Sequence, residues 1–199
     1  SNDDPAGEFR VRVRMPLISA DQDGTWARVA APDAGAERGF FWRPEIGDEV
    51  LLGFLHEDPR HPVVLGMLHS SAKAAPLTPS DDNHEKAIQT RSKLRLHFND
   101  EKKRVELKTP AGNEILLNET DKTLEIRDQN GNELKMTEDG ISLSSPKKIA
   151  IKAGTEFQAE SGTGFAAKGG TTMKVSGTSS AELSSSATTS VKGSMVQIN

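Results

Sequence analysis

The sequence predicts an all-β protein: a small N-terminal barrel, then a rod of repeated strands that needs several copies of the chain to close. Three observations predict it. Apolar pairs at i and i+2 recur every eight residues from Ile141 to Val191, the period-2 signature of a half-buried strand. Short apolar runs separated by Gly, Pro and Asp fill residues 8–70, and no long segment of period 3.6 competes with them. Apolar residues make up only 34% of the 199, against ~45–50% in ordinary globular domains. A lone chain so poor in apolar side chains struggles to offset its conformational entropy. The expected remedy is a core shared with partners.

Residues 8–70 read as five strands. Phe9–Met15 alternates strictly and Pro16 closes it; Trp26–Ala30 follows a turn at Asp23-Gly24. Gly39–Trp42, Asp48–Leu55 and Pro62–Leu68 complete the set. Short strands with turn residues between them predict a small barrel. Residues 71–90, rich in Ala, Pro, Ser and Asp, read as a surface connector.

Residues 91–199 carry the repeat. Its pairs are Ile141/Leu143, Ile149/Ile151, Phe157/Ala159, Phe165/Ala167, Met173/Val175, Ala181/Leu183 and Thr189/Val191. Gly154, Gly162 and Gly170 keep the same spacing, where corners are expected to need positive φ. Upstream units are longer, Val105/Leu107, Ile115/Leu117, Leu124/Ile126 and Leu134/Met136, with turn chemistry at Pro110–Asn113 and Gln129–Asn132. An eight-residue unit spans roughly 25 Å at ~3.3 Å per residue, about one side of a prism. Three chains supplying successive sides would bury the pairs on a common axis. The expected architecture is an intertwined triple-stranded β-helix, a β-prism formed by a homotrimer. Its axial residues are Val105, Leu107, Ile115, Leu117, Leu124, Ile126, Leu134, Met136, Ile141, Leu143, Ile149, Ile151, Phe157, Phe165, Met173, Val175, Leu183 and Val191. The inward set shrinks through Ala159, Ala167, Ala181 and Thr189, so the rod is expected to narrow towards its end.

Several function classes are disfavoured. A net charge of -4 offers no basic field for phosphate backbones or anionic lipid. Cysteine is absent, which removes disulfides and thiolate metal sites. No apolar run approaches the ~20 residues of a membrane-spanning helix, and Ser1–Asp4 lacks the basic and apolar regions of a signal peptide. His56, His61, His69, His84 and His97 show no metal-ligand spacing, so no metal or cofactor is expected. Glu45, Asp48 and Glu49 resemble paired carboxylates but sit in a turn entering a strand. The Ser-rich tail has no nucleophile elbow, so no enzyme activity is expected. Trp26 and Phe40–Trp42 with Arg10, Arg12, Arg14, Arg28 and Arg43 form the ingredients of a single-strand nucleic-acid groove. Acidic residues outnumber basic ones there, and the rings are expected instead to fill the barrel or a subunit contact.

Thr25–Pro32, Gly39–Phe54 (with the block Pro44-Glu45-Ile46-Gly47-Asp48-Glu49-Val50) and Asp58–Gly66 resemble the OB-fold domain of VgrG proteins. These are central spikes of type VI secretion systems, similar to phage baseplate and extracellular contractile injection spikes. The resemblance continues through Asp128–Met136 and Ile141–Pro146 and ends on Lys192–Asn199, like a spike tip. It implies a five-stranded OB barrel, a homotrimer at the front of a contractile machine, and puncture of a target envelope. It implies contact with tail-tube and hub proteins, effectors, and a PAAR-type tip protein held by Met195, Val196, Gln197, Ile198 and Asn199. Assembly in the bacterial cytoplasm and delivery outside or into a target cell are further expectations. The family's hub region before the OB domain has no counterpart in this sequence, which is expected to be an excised portion or a short baseplate-type spike. A trimeric receptor-binding fibre or adhesin is the alternative, set aside because the repeat continues to Asn199 without a globular head.

Overall fold

The computed structural model describes residues 1–16 and 23–198. The chain divides into two units, Ser1–Ile149 and Ala150–Asn199. The first holds every strand found among the described residues: β1 (Val11–Val13), β2 (Thr25–Val29), β3 (Ala34–Gly35), β4 (Arg38–Gly39), β5 (Glu49–Phe54), β6 (Pro62–Leu68), β7 (Glu85–Gln89), β8 (Arg95–Asn99), β9 (Arg104–Lys108), β10 (Glu114–Asn118), β11 (Thr123–Arg127), β12 (Glu133–Thr137) and β13 (Gly140–Ser144). One 3-10 turn, Leu55–Glu57, is the sole helical element described.

The N-terminal part is a four-stranded sheet of order β1-β2-β6-β5. Alternation sends Val11 and Val13 inward, where they meet Ala27 and Val64, with Val29, Val50 and Leu52 packed around them. Gly24 (φ +86) permits the tight approach of β2 to β1, since a Cβ there would lie 2.4 Å from the Val13 carbonyl oxygen. β2 and β6 are parallel, with Val29 opposite Val64. The expected third strand, Gly39–Trp42, is not one. A two-residue hairpin β3-β4 stands apart from the main sheet. The Phe40 N–H donates to the Asp33 carbonyl at 2.9 Å, and Arg38 Nη1 donates to both Asp33 carboxylate oxygens at 2.5 and 2.7 Å. That closure leaves Phe40, Phe41 and Trp42 outside the sheet and exposed, so they do not fill the interior.

From Glu85 to Ser144 the chain folds into a seven-stranded sheet whose strands follow sequence order, β7 to β13. Every pairing is antiparallel. Pairing therefore starts inside the stretch read as connector. It also differs from the winding expected for the upstream units: consecutive strands pair with one another rather than passing on around an axis. Their longer connectors explain this, because they hold a full reverse turn. At the β11–β12 turn Asp128 accepts the N–H groups of Asn130 and Asn132 at 2.8 and 2.9 Å and the Asn132 side-chain amide at 2.6 Å. Gly131 supplies φ +82, a conformation strained for other residues. The Asn132 side chain and then its N–H, with Asn130 behind them, lower the Asp128 pKa to about 2.

Residues 150–198 contain no strand, and all are exposed. Gly154, Gly162 and Gly170 do not take positive φ, contrary to the corner expectation. In a single chain nothing draws these residues into corners, because no neighbouring strand is there to turn against.

Candidate assembly interface

The register of the seven-stranded sheet sorts its side chains into two unlike faces. One column runs Phe98–Val105–Leu117–Leu124–Met136–Ile141. A second runs Ile88–Leu96–Leu107–Ile115–Ile126–Leu134–Leu143. The period of two puts both columns on one face, where Lys86, opposite Phe98, is the one polar residue. Val105, Leu117, Leu124 and Met136 line a single open groove of about 500 Å³. This apolar face is largely uncovered: Leu117 is 49% exposed and Ile141 72%.

The opposite face is polar yet covered. Its central column runs Ala87–His97–Glu106–Leu116–Glu125–Lys135–Ser142. Glu125 is 5% exposed, and His97, Asn99 and Leu116 are buried. Long charged side chains lie over the sheet and pair across it. Arg104 and Lys108 reach Glu106 at 3.2 and 3.4 Å and Glu114 at 3.8 and 3.7 Å. Lys135 meets Glu125 at 2.7 Å, and Arg127 bridges Glu125, Glu133 and Glu114. The Lys135 hydrogen bond is the largest influence holding the Glu125 carboxyl below the ordinary carboxylate range, with Arg127 adding to it against the cost of burial. Most charge on this face is paired within the chain, with Arg95 Nε, His97 Nε2 and Arg104 Nε buried without a hydrogen bond, whereas no described residue covers the apolar face. That inverts the usual arrangement of a one-sided sheet.

The axial residues expected from Val105 to Leu143 thus fall on one face. Ile149 follows the last strand, and Ile151, Phe157, Phe165, Met173, Val175, Leu183 and Val191 lie exposed along the strandless segment. At the expected tip, Met195, Val196 and Ile198 are exposed. Gln197 is also on the surface, and Asn199 falls outside the described residues.

Two of the three carboxylates weighed for catalysis, Glu45 and Asp48, serve as ties. Asp48 accepts the Glu45 N–H at 2.8 Å and Lys73 Nζ at 3.1 Å, and the Glu45 N–H leads in holding its carboxyl below the usual range. Arg91, in the β7–β8 turn, donates to Glu45 at 2.9 Å. The turn Pro44–Val50 therefore binds both the connector and the first hairpin of the second sheet. The arginines of the conjectured nucleic-acid groove are largely engaged as well. Arg10 forks onto Asp4 at 2.8 and 3.0 Å, Arg12 pairs with Asp23 at 3.1 Å, and Arg43 donates to the Arg10 carbonyl at 2.6 Å. Among the described residues no cluster of His, Cys, Asp or Glu is suited to a metal ion, and no helix is long and apolar enough to cross a membrane.

Residues 1–69 match the type VI secretion system/phage-baseplate injector OB domain. Over 112 residues, 54% of this chain, the sequence is 28% identical to the type VI secretion system spike protein VgrG3 of Vibrio cholerae serotype O1. Over 75 residues, 37% of this chain, it is 36% identical to the spike protein VgrG5 of Pseudomonas aeruginosa. Residues 1–69 thus carry the injector OB domain of type VI secretion systems and phage baseplates, and the chain is similar to VgrG spike proteins. A further VgrG relative, the actin cross-linking toxin VgrG1 of Vibrio cholerae, is 28% identical over 46% of this chain. The matched stretches span only 11%, 10% and 9% of these three relatives.

Two features of the seven-stranded sheet escaped the sequence reading. Ile88, Leu96 and Phe98 extend the apolar columns upstream; the alternation Leu94-Arg95-Leu96-His97-Phe98 was the available signal. The buried charge network was also missed, although Arg104-Val105-Glu106-Leu107-Lys108 alternates charge with apolar residues. Composition alone assigns such charges to solvent. Only the strand register shows that they cover one another.

Proposed function

We propose that this chain is the OB and rod portion of a homotrimeric spike at the tip of a contractile injection machine. Three copies bring their apolar faces together on a common axis and leave their charged faces outward. The observation that carries this reading is the uncovered apolar face set against a covered polar face whose carboxylates pair with Arg and Lys of the same chain. Identical copies are the natural occupants, because the same apolar pairs then meet at every level of the rod. Residues 150–198 point the same way: their eight-residue register survives without in-chain strand pairing, and backbone donors and acceptors in a packed rod require strand partners. The spike is pushed through the target envelope, carrying a PAAR-type tip protein on Met195–Asn199 and effectors with it. This portion acts mechanically, without chemistry of its own.

The test is delivery. A strain lacking the chain, complemented with the Leu117→Asp variant, is expected to lose transfer of effector into target cells, while the wild-type chain restores it. Full delivery by a variant shown to be monomeric would overturn the reading.

A further inference from the structure

The two parts of the rod stand in different states in one chain, and this bears on how three chains come together. We infer that the sheet Glu85–Ser144 is the trimerisation determinant, and that residues 150–198 acquire strand pairing only after the three sheets have docked. The inference rests on the trimeric reading above and adds an order of events to it.

The first support is preorganisation. All seven strands pair with their sequence neighbours inside one chain, so each is closed by a short hairpin at small entropic cost. The docking face is then already formed. Association need cost only rigid-body freedom and side-chain ordering. Residues 150–198 have no such start: no strand is present and every residue is exposed. Joining three such segments directly would require ordering all three backbones at the moment of contact.

The second support is the distribution of apolar side chains. The sheet places Leu, Ile, Val, Met or Phe at both positions of every level from Leu96 to Leu143. The later segment has Ala159, Ala167, Ala181 and Thr189 at the equivalent positions, and burial scales with apolar area. The later part gains least at first contact and needs the most ordering. Docking of the sheets changes that balance, since it holds the three later segments together at an effective concentration on the order of millimolar. Pairing can then propagate with the register already fixed.

The experiment uses the full chain and two double variants. Ile115→Asp with Leu117→Asp charges the sheet face; Phe157→Asp with Phe165→Asp charges the later segment. Mass is read by sedimentation and amide exchange is read along the chain. The sheet variant is expected to be monomeric, with residues 150–198 exchanging at unprotected rates although none of them is altered. The later variant is expected to remain trimeric, with exchange accelerated only beyond Ala150. A trimeric wild type together with a monomeric later variant overturns the order of events and leaves the trimer reading intact. A monomeric wild type overturns the trimer reading itself. Amides of β9–β11 show whether the sheet survives the double substitution. If they lose protection, Leu117→Ser is measured in its place, and protection of 150–198 in a monomeric Leu117→Ser chain would likewise overturn the order.

Discussion

The segments Glu85–Ser144 and 150–198 share a pattern, an apolar pair per strand-length unit, yet only the first folds within one chain. The difference lies between the pairs. Units upstream of Ser144 carry connectors such as Pro110–Asn113 and Gln129–Asn132, long enough and with the right residues to reverse direction. The eight-residue units keep no residues for a hairpin, and no strand forms among residues 150–198. Connector length, more than apolar content, decides whether a repeat closes on itself.

The largest effect is expected from charging the axis. Ile115→Asp or Leu117→Asp sets three carboxylates together without partners, each costing several kcal/mol to desolvate, and should block a stable trimer as judged by light scattering. Normal assembly of either variant would show that the apolar pairs do not face the axis. Next come the neighbours Leu116 and Leu117 on opposite faces. Leu116→Ala removes a side chain buried between Glu106 and Glu125 and should cost about 2 kcal/mol, the low end for such truncations, at every protein concentration. Leu117→Ala should instead show a loss that depends on protein concentration, because in the proposed trimer its burial would come from other chains. Equal behaviour of the two in denaturant titrations would erase the distinction between the faces.

A smaller effect is expected from acid. Glu125 and Asp128 titrate below their ordinary values of 4.5 and 3.8, so the folded sheet binds fewer protons than the unfolded chain as pH falls. Their contribution is complete above about pH 5 and is lost as pH drops through the depressed values, near 2 for Asp128. The unfolding midpoint should therefore fall between pH 6 and pH 3, and Glu125→Gln should flatten that dependence. An unchanged slope in Glu125→Gln would remove this carboxylate from the account. The smallest effect belongs to the ties at Pro44–Val50. Lys73→Ala and Arg91→Ala break partly exposed ion pairs and should each cost at most about 1 kcal/mol in thermal unfolding.

The sequence made the all-β class and the residues of the apolar face legible because a period of two needs no tertiary information. Val105 through Leu143 share a face for that reason. Which strands pair was not legible in the same way. The eight-residue units suggested winding throughout, whereas the Asp128–Asn132 turn shows its preference only once its hydrogen bonds are seen. Gly39–Trp42 misled for a related reason: the run read as a strand with rings for the barrel or a subunit contact, but the Asp33–Phe40 closure ends pairing before the rings and keeps them out of the barrel. The covered polar face was hidden because burial of Glu125 depends on where Lys135 and Arg127 lie across neighbouring strands.

The most direct test of the central claim is the mass of the intact chain in solution. Sedimentation equilibrium across micromolar concentrations should give three times the 21.5 kDa of one chain, without dissociation on dilution. A single species of 21.5 kDa at those concentrations would contradict the account, because the apolar face would then stand open to water with no partner.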